Sequence, residues 1–321
     1  MQVSRLSTAN VEPMKRLDCW NALTAGFFPG MVIDGAADID ASWQSVRLGE
    51  VHLCIAKSPR SRVRRWRAQS EVRETGRALF HLQAKGVSNT IQSGASMVAA
   101  AGEMSVCSSD RPYEIEISQN NECLVIDCPD DAVPYGALLG RVVSSSSNVH
   151  LRLLMDFAMS IFRQGWSNEL LDVEEEAHLE EALIALLKNC ISSSSAAPPC
   201  EDADHGNLSP TELYRRIVQI IENHIYDSSM RTGLIAQRLG VSESAVQKTF
   251  AQFGTTPTAY IHARRLEKAK LRLRDPKFDG SLTDLAYDLG FSDSAHFSRR
   301  FKAHFKTTPS NFQKQCRARL S

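Results

Sequence analysis

The sequence predicts a multidomain α and β chain: an N-terminal β-barrel, a helical hairpin, and a C-terminal all-α domain with two helix-turn-helix motifs. Three observations carry this reading. Apolar residues come in short strand-like runs to about residue 128 and recur at helical spacing from 146. The stretch "LIAQRLGVSESAVQKTF" (234–250) returns, with one residue inserted, as "DLAYDLGFSDSAHFSRRF" (284–301). Residues 207–321 hold 19 Lys and Arg against 10 Asp and Glu, whereas residues 1–206 hold 18 against 27. A net charge of zero therefore joins a basic end, +9, to an acidic one, −9. The boundaries that follow are 1–145 for the barrel with its N-terminal arm, 146–193 for the hairpin, 194–207 for a linker and 208–321 for the last domain.

The barrel strands are "SVRLGEVHLCIAKS", "ALFHLQAKG", "SNTIQSG", "EMSVCSS", "YEIEIS" and "CLVIDCP", separated by Gly, Ser, Asn and Asp. In the hairpin, Leu151, Leu154, Phe157, Ala158 and Ile161 share one stripe, "LEEALIALLKNCI" supplies a second, and Gly165 falls in the break. Such a pair either covers the barrel or offers a dimerisation face, and the pattern is compatible with both. "SSSSAAPPCEDADHGN" (192–207) has linker composition. The eight cysteines show no CxxC spacing, so neither a zinc ribbon nor a redox motif is indicated. No apolar run reaches the length of a membrane span and "MQVSRLSTANVEPMKRLDCW" lacks the apolar core of a signal peptide. A cytoplasmic location with reduced thiols is expected.

In the C-terminal domain, "TELYRRIVQIIENHIY" (211–226) places Leu213, Ile217, Ile220, Ile221 and Ile225 on one core stripe. The two copies then align Ala236 with Ala286, Leu239-Gly240 with Leu289-Gly290, and Ser242 with Ser292. The glycines suit a left-handed helix end, and the serines suit the N-cap of a second helix. That second helix buries Val246 and Phe250 in the first copy and Phe297 and Phe301 in the second, i,i+4 neighbours on one face. The opposite face is the one a DNA major groove would meet. It carries Ser244, Gln247 and Lys248 in the first copy and Ser294, Ala295, Ser298 and Arg299 in the second. Gln can pair bidentately with adenine, and Arg or Lys with guanine. Between the copies, Thr256 caps a helix through "PTAYIHARRLEKAKLRLRDP", whose Arg264, Arg265, Lys268, Lys270, Arg272 and Arg274 are candidate phosphate contacts.

These residues resemble the DNA-binding domain of the AraC/XylS family of bacterial transcription regulators over 208–321. "IAQRLGVSESAVQKTF", "RRLEKAKLRL" and "LAYDLGFSDSAHFSRRFKAHFKTTPSNF" carry the resemblance. Lys306 departs from it, standing where that family usually has glycine. The first half resembles the family's cupin-like sensor domain, on Gly86, Gly94 and the Gly102-Glu103-Met104 turn. The resemblance implies an activator that binds promoter DNA as a homodimer, contacts RNA polymerase and responds to a small-molecule effector. His52, His81, His150 and His178 are far apart with no HxH, so the ligand set of a metal-holding enzymatic cupin is missing. No metal, cofactor or enzymatic activity is expected.

"SPRSRVRRWRAQSEVR" (58–73) crowds Arg60, Arg62, Arg64, Arg65 and Arg67 around Trp66 in an otherwise acidic half. Arginine forks bind phosphate bidentately and stack on planar rings. The Arg60–Arg64 spacing resembles the arginine motif with which PilZ domains, and some cupin-bearing AraC-type regulators, grip cyclic di-GMP. The further PilZ motif of Asp or Asn, then Ser and Gly, has no match. Three readings stay open: an acid-paired or solvated strand, a site for an anionic effector with cyclic di-GMP as the best single candidate, and an incidental cluster beside an aromatic or apolar effector inside the barrel. A ligand-independent architectural DNA binder is the alternative from another class.

Overall fold

The computed structural model describes residues 3–65, 76–163, 173–194, 210–275 and 278–318, which fall into two units, Met1–His205 and Gly206–Ser321. In the first unit the strands are β1 (Ser4–Ser7), β2 (Met31–Gly35), β3 (Ser42–Leu48), β4 (Val51–Ser58), β5 (Ser61–Arg65) and β6 (Arg77–Lys85). They continue as β7 (Val87–Gln92), β8 (Ala95–Ala100), β9 (Glu103–Ser108), β10 (Tyr113–Ile117), β11 (Asn121–Pro129) and β12 (Val142–Ser144). One sheet runs β1-β3-β4-β11-β6-β9-β12 and the other β2-β5-β10-β7-β8, with antiparallel pairing throughout the described ladders.

Period-two alternation sorts each strand of the larger sheet between two cores. On β4, Val51, Leu53 and Ile55 join the core outside the barrel, while Cys54 joins the core inside it. The outer core is completed by α2 (Val149–Arg163) and α3 (Val173–Ser194). Leu151, Leu154, Ala158 and Ile161 of α2 and Leu183 and Leu187 of α3 are almost fully buried there. Burial of each of these leucine and isoleucine side chains contributes about 1.5–3 kcal/mol relative to exposure. The hairpin thus covers the sheet. Asn148 locks it: its Oδ1 accepts from Leu151 N at 3.0 Å and its Nδ2 donates to Cys190 O at 2.9 Å. Val149 and Leu153 stay on the exposed side of α2. Gly165 and most of the 194–207 linker lie outside the described residues, and Ser194 belongs to α3.

The inner core holds Trp20 and Phe28 from and just after α1 (Arg16–Phe27), together with Ile33, Trp43, Val63, Leu79, Tyr113 and Val125 from both sheets. Elements α1, β1, β2, β8 and β12 are not expected from the sequence, and β5 is one of three readings of the arginine cluster. Ala and Ser dominate β8, and arginines fill β5, so neither reads as a strand by composition.

The second unit is helical: α4 (Pro210–Asn223), α5 (Thr232–Leu239), α6 (Glu243–Ala251), α7 (Pro257–Arg274), α8 (Leu282–Asp288), α9 (Ser294–Phe305) and α10 (Pro309–Ala318). Thr256 caps α7 as expected, its side chain accepting from Ala259 N at 3.1 Å, with Pro257 at the first position. Among the described residues no helix is long and apolar enough to cross a membrane.

Candidate functional site

Both copies of the repeat form a helix, a glycine turn and a second helix. Gly240 ends α5 with φ 65°, and Gly290 follows α8 with φ 74°, in the left-handed region. Ser242 caps α6, its Oγ accepting from Ala245 N at 3.2 Å. The second copy departs from expectation. Asp293, not Ser292, caps α9, its Oδ1 accepting from His296 N at 2.6 Å. The inserted residue moves the cap by one position, and Asp serves there as well as Ser. That N–H holds the Asp293 carboxyl below its ordinary range.

Val246 and Phe250 of α6 and Phe297 and Phe301 of α9 are fully buried, as the repeat predicts. Phe250 meets Tyr214 and Tyr260, while Phe297 lies between Phe291 and Phe301. These anchors turn the opposite faces outward. Ser244, Gln247 and Lys248 are exposed on α6, beside Glu243. On α9, Ala295 and Arg299 are exposed and Ser294 and Ser298 half-buried. Arg300 is also exposed and donates from Nε to His296 Nε2 at 3.0 Å.

Arg265 requires a correction. It is 3% exposed, and its guanidinium donates to Ile225 O at 2.9 Å, Asp227 O at 2.5 Å and Gly290 O at 2.8 Å. It ties α7 to the loop after α4 and to the turn of the second motif, so no donor face is left for a phosphate. Arg264 is likewise interior, bonded to Glu222 at 2.5 Å, and the buried Lys270 ammonium lies 4.5 Å from the Phe305 ring centre. Arg272 and Arg274 remain on the surface. Spacing alone reveals no difference among these cations. The helix's inward face passes through its arginine pairs.

Strand β5 separates the arginine cluster. Arg62 and Arg64 alternate with Ser61, Val63 and Arg65, so the cluster divides between two faces. Register sets Arg62 opposite Glu116 and Arg64 opposite Glu114 on β10, with Asp34 opposite Arg62 on β2. Arg62 bonds Glu114 at 3.2 Å and Glu116 at 3.0 Å, and Arg64 bonds Asp34. Arg65 is 2% exposed and stands opposite Tyr113 on β10. Arg60 is exposed beyond the strand, and Trp66 and Arg67 lie outside the described residues. Among the described residues the geometry is that of an acid-paired strand, with Arg62, Arg64 and Arg65 not converging on one face.

The sequence allowed an effector inside the barrel but named no lining residue; a pocket of about 80 Å³ lies there, walled by Trp20 and Phe28 and by Trp43, Tyr113, Ile115 and His81 from the sheets. Trp43 packs edge-on against Trp20 at 6.2 Å and against Phe28 at 5.8 Å. Burial pulls the His81 imidazole down to about 4, so it is neutral near pH 7. The signal was weak: a lone tryptophan in each of two segments that did not read as one site.

A fold with a covered β domain and a duplicated helix-turn-helix domain defines a regulator architecture, and comparison with known proteins agrees. A family model described as an AraC-binding-like domain matches residues 30–187, and one described as a helix-turn-helix domain matches 235–315. The transcriptional activator NphR of Rhodococcus sp is 25% identical over 289 residues, 86% of this chain and 81% of its own. The probable transcription factor PqrA of Proteus vulgaris is 38% identical over 88 residues, 27% of this chain and 70% of its own. The crystal structure of the AraC-like transcriptional activator CuxR aligns over 83% of this chain and 95% of its own, at 20% identity and a TM-score of 0.49. The chain belongs to the AraC family of transcription regulators, with a helix-turn-helix DNA-binding domain.

Proposed function

We propose that this chain is a sequence-specific transcription activator whose affinity for DNA responds to a small molecule held in the cavity of its β domain. The observation that carries the DNA half is the pair of recognition helices whose aromatic anchors are buried while Gln247, Lys248 and Arg299 stay exposed. Each helix enters a major groove, Gln247 and Arg299 reading base edges and Lys248 a phosphate. Activation is supported by relatives such as NphR and the Rhizobium meliloti transcriptional activator RhrA, 27% identical over 168 residues. Homodimerisation and a contact with RNA polymerase belong to the same reading, and the exposed Val149 and Leu153 on α2 offer a surface for the former.

The cavity is the better effector site because the strand arginines already have partners. A cyclic di-GMP clamp would have to displace Glu114, Glu116 and Asp34 from Arg62 and Arg64. Selection of bound sequences from a random DNA pool, followed by anisotropy titration, tests the DNA half. The expected result is one recurrent motif bound on the order of 10³-fold or more above competitor DNA. Equal binding to all sequences would establish an architectural protein instead. Calorimetric titration with cyclic di-GMP is expected to give no saturable heat. Micromolar binding lost in Arg62→Ala or Arg64→Ala would move the effector to the strand.

A further inference from the structure

Three polar atoms in the cavity wall have no hydrogen-bond partner among the described residues: Trp43 Nε1, His81 Nδ1 and Ser88 Oγ. Their residues are only 4%, 7% and 3% exposed. Outside this wall the barrel holds both kinds: Gln83 Oε1 and Arg65 Nε also lack a partner among the described residues, whereas other buried groups are bonded to protein. Gln92 Nε2 donates to Ser108 O at 2.8 Å, and Thr90 and Ser105 share a hydroxyl contact at 3.3 Å. Buried polar groups are normally satisfied, so three orphans around one space call for a partner that enters it.

Their chemistry limits that partner. An indole N–H only donates, so the ligand must bring an acceptor to Trp43. Ser88 and a neutral imidazole can each donate or accept, which suits a carbonyl, amide or hydroxyl. Among the described lining residues none is Asp, Glu, Lys or Arg. Arg65, opposite Tyr113 in the β5–β10 register, is not among the lining residues. An anion entering here would lose its hydration with no counter-ion among the described lining residues. The remaining wall is aromatic and aliphatic, matching a ring edge or face. At roughly 10–15 Å³ per water-sized sphere, a cavity of about 80 Å³ excludes a dinucleotide and limits the occupant to no more than one small ring.

We infer that the effector is a small, uncharged, largely apolar ring compound with at least one hydrogen-bond acceptor, bound through Trp43, His81 and Ser88. This rests on the reading that the cavity is the effector site. Burial of His81, which holds it neutral, agrees with an uncharged partner.

The test is calorimetric titration of the full chain at pH 7.5 with benzamide, benzoate and toluene, similar in size and different in charge and hydrogen bonding. Benzamide is expected to bind saturably at millimolar concentration or below, with benzoate and toluene each weaker by about ten-fold or more. Ser88→Ala removes one small hydroxyl, and Trp43→Phe removes the donor. Each should lower benzamide affinity several-fold and leave toluene binding unchanged. Benzoate binding as tightly as benzamide would overturn the uncharged class, and equal toluene binding would overturn the acceptor requirement. If no probe binds, the cavity reading itself falls, while the DNA-selection experiment would still stand on its own result.

Discussion

The two helix-turn-helix copies share a frame and differ in what they expose and how they end. In the first, α6 has nine residues, one outward cation in Lys248 and an acidic Glu243 beside it. In the second, α9 has twelve residues and presents Arg299, Arg300 and Lys302. The first copy leaves its recognition helix through Gly254 at φ 64°, whereas the second uses Lys306 at φ 60° for the same left-handed step. Core positions answer to packing and so stay alike, while outward positions answer to a partner and diverge. The electrostatic footprint of the second copy is the stronger, and the two should not contribute equally to DNA affinity.

The largest expected effect comes from breaking what couples the copies. Arg265→Ala leaves the carbonyls of Ile225, Asp227 and Gly290 without their donor. It should destabilise the DNA-binding unit by about 3–5 kcal/mol. Denaturant unfolding measures this, and hydrogen exchange should rise around Gly290 as well as after α4. A change confined to one copy would show that Arg265 does not couple them. Lysine cannot replace it, because three divergent carbonyls need the guanidinium's fixed fork.

Next is Arg299→Ala, expected to weaken specific binding by about 1–3 kcal/mol and to relax one base position. Gln247→Ala in the first copy should lose preference at an adenine. Lys248→Ala should weaken all sequences alike and reduce the salt slope by about one. Equal losses for Arg299→Ala on every sequence would make Arg299 a phosphate contact.

Acid distinguishes the copies more gently. His262 stacks on Phe291 in the turn of the second copy, with ring centres 5.7 Å apart. Burial, then the charges of Arg300, Arg265 and His296, lowers its imidazole to about 4. Between pH 6.5 and 4 the unfolded chain therefore binds a proton that the folded chain does not. Stability is present above 6.5 and is lost as pH falls through that window, by about 1–2 kcal/mol after allowance for partial solvent exposure. His262→Gln should flatten that part of the pH–stability curve for the isolated C-terminal unit, measured by thermal melting.

The smallest effect is Lys306→Gly, which relieves a left-handed lysine and should stabilise by about 0.5–1 kcal/mol. Gly254→Ala, the converse change in the first copy, should destabilise by about 1 kcal/mol or more. Opposite signs in paired melts would confirm that the copies need the same backbone at these positions.

The sequence by itself determined the duplicated motif, because its signals are local: a glycine at each turn, a capping residue two or three positions on, and apolar pairs four apart. It likewise determined which way α6 and α9 face, since the positions of Val246, Phe250, Phe297 and Phe301 leave only one side for DNA. Only the tertiary structure decided the fate of the arginines. Arg62 is neutralised by Glu114 and Glu116, some fifty residues on, and Arg64 by Asp34, some thirty residues back, through strands that sheet register sets beside β5. Arg265 is buried because three carbonyls from two other segments converge on it. Tertiary structure also made the cavity, by bringing Trp43, His81 and Ser88 from three strands around one space. Helix ends and periodicity are properties of neighbouring residues. Charge pairing and burial depend on partners distant in the chain, and the folded register selects those partners.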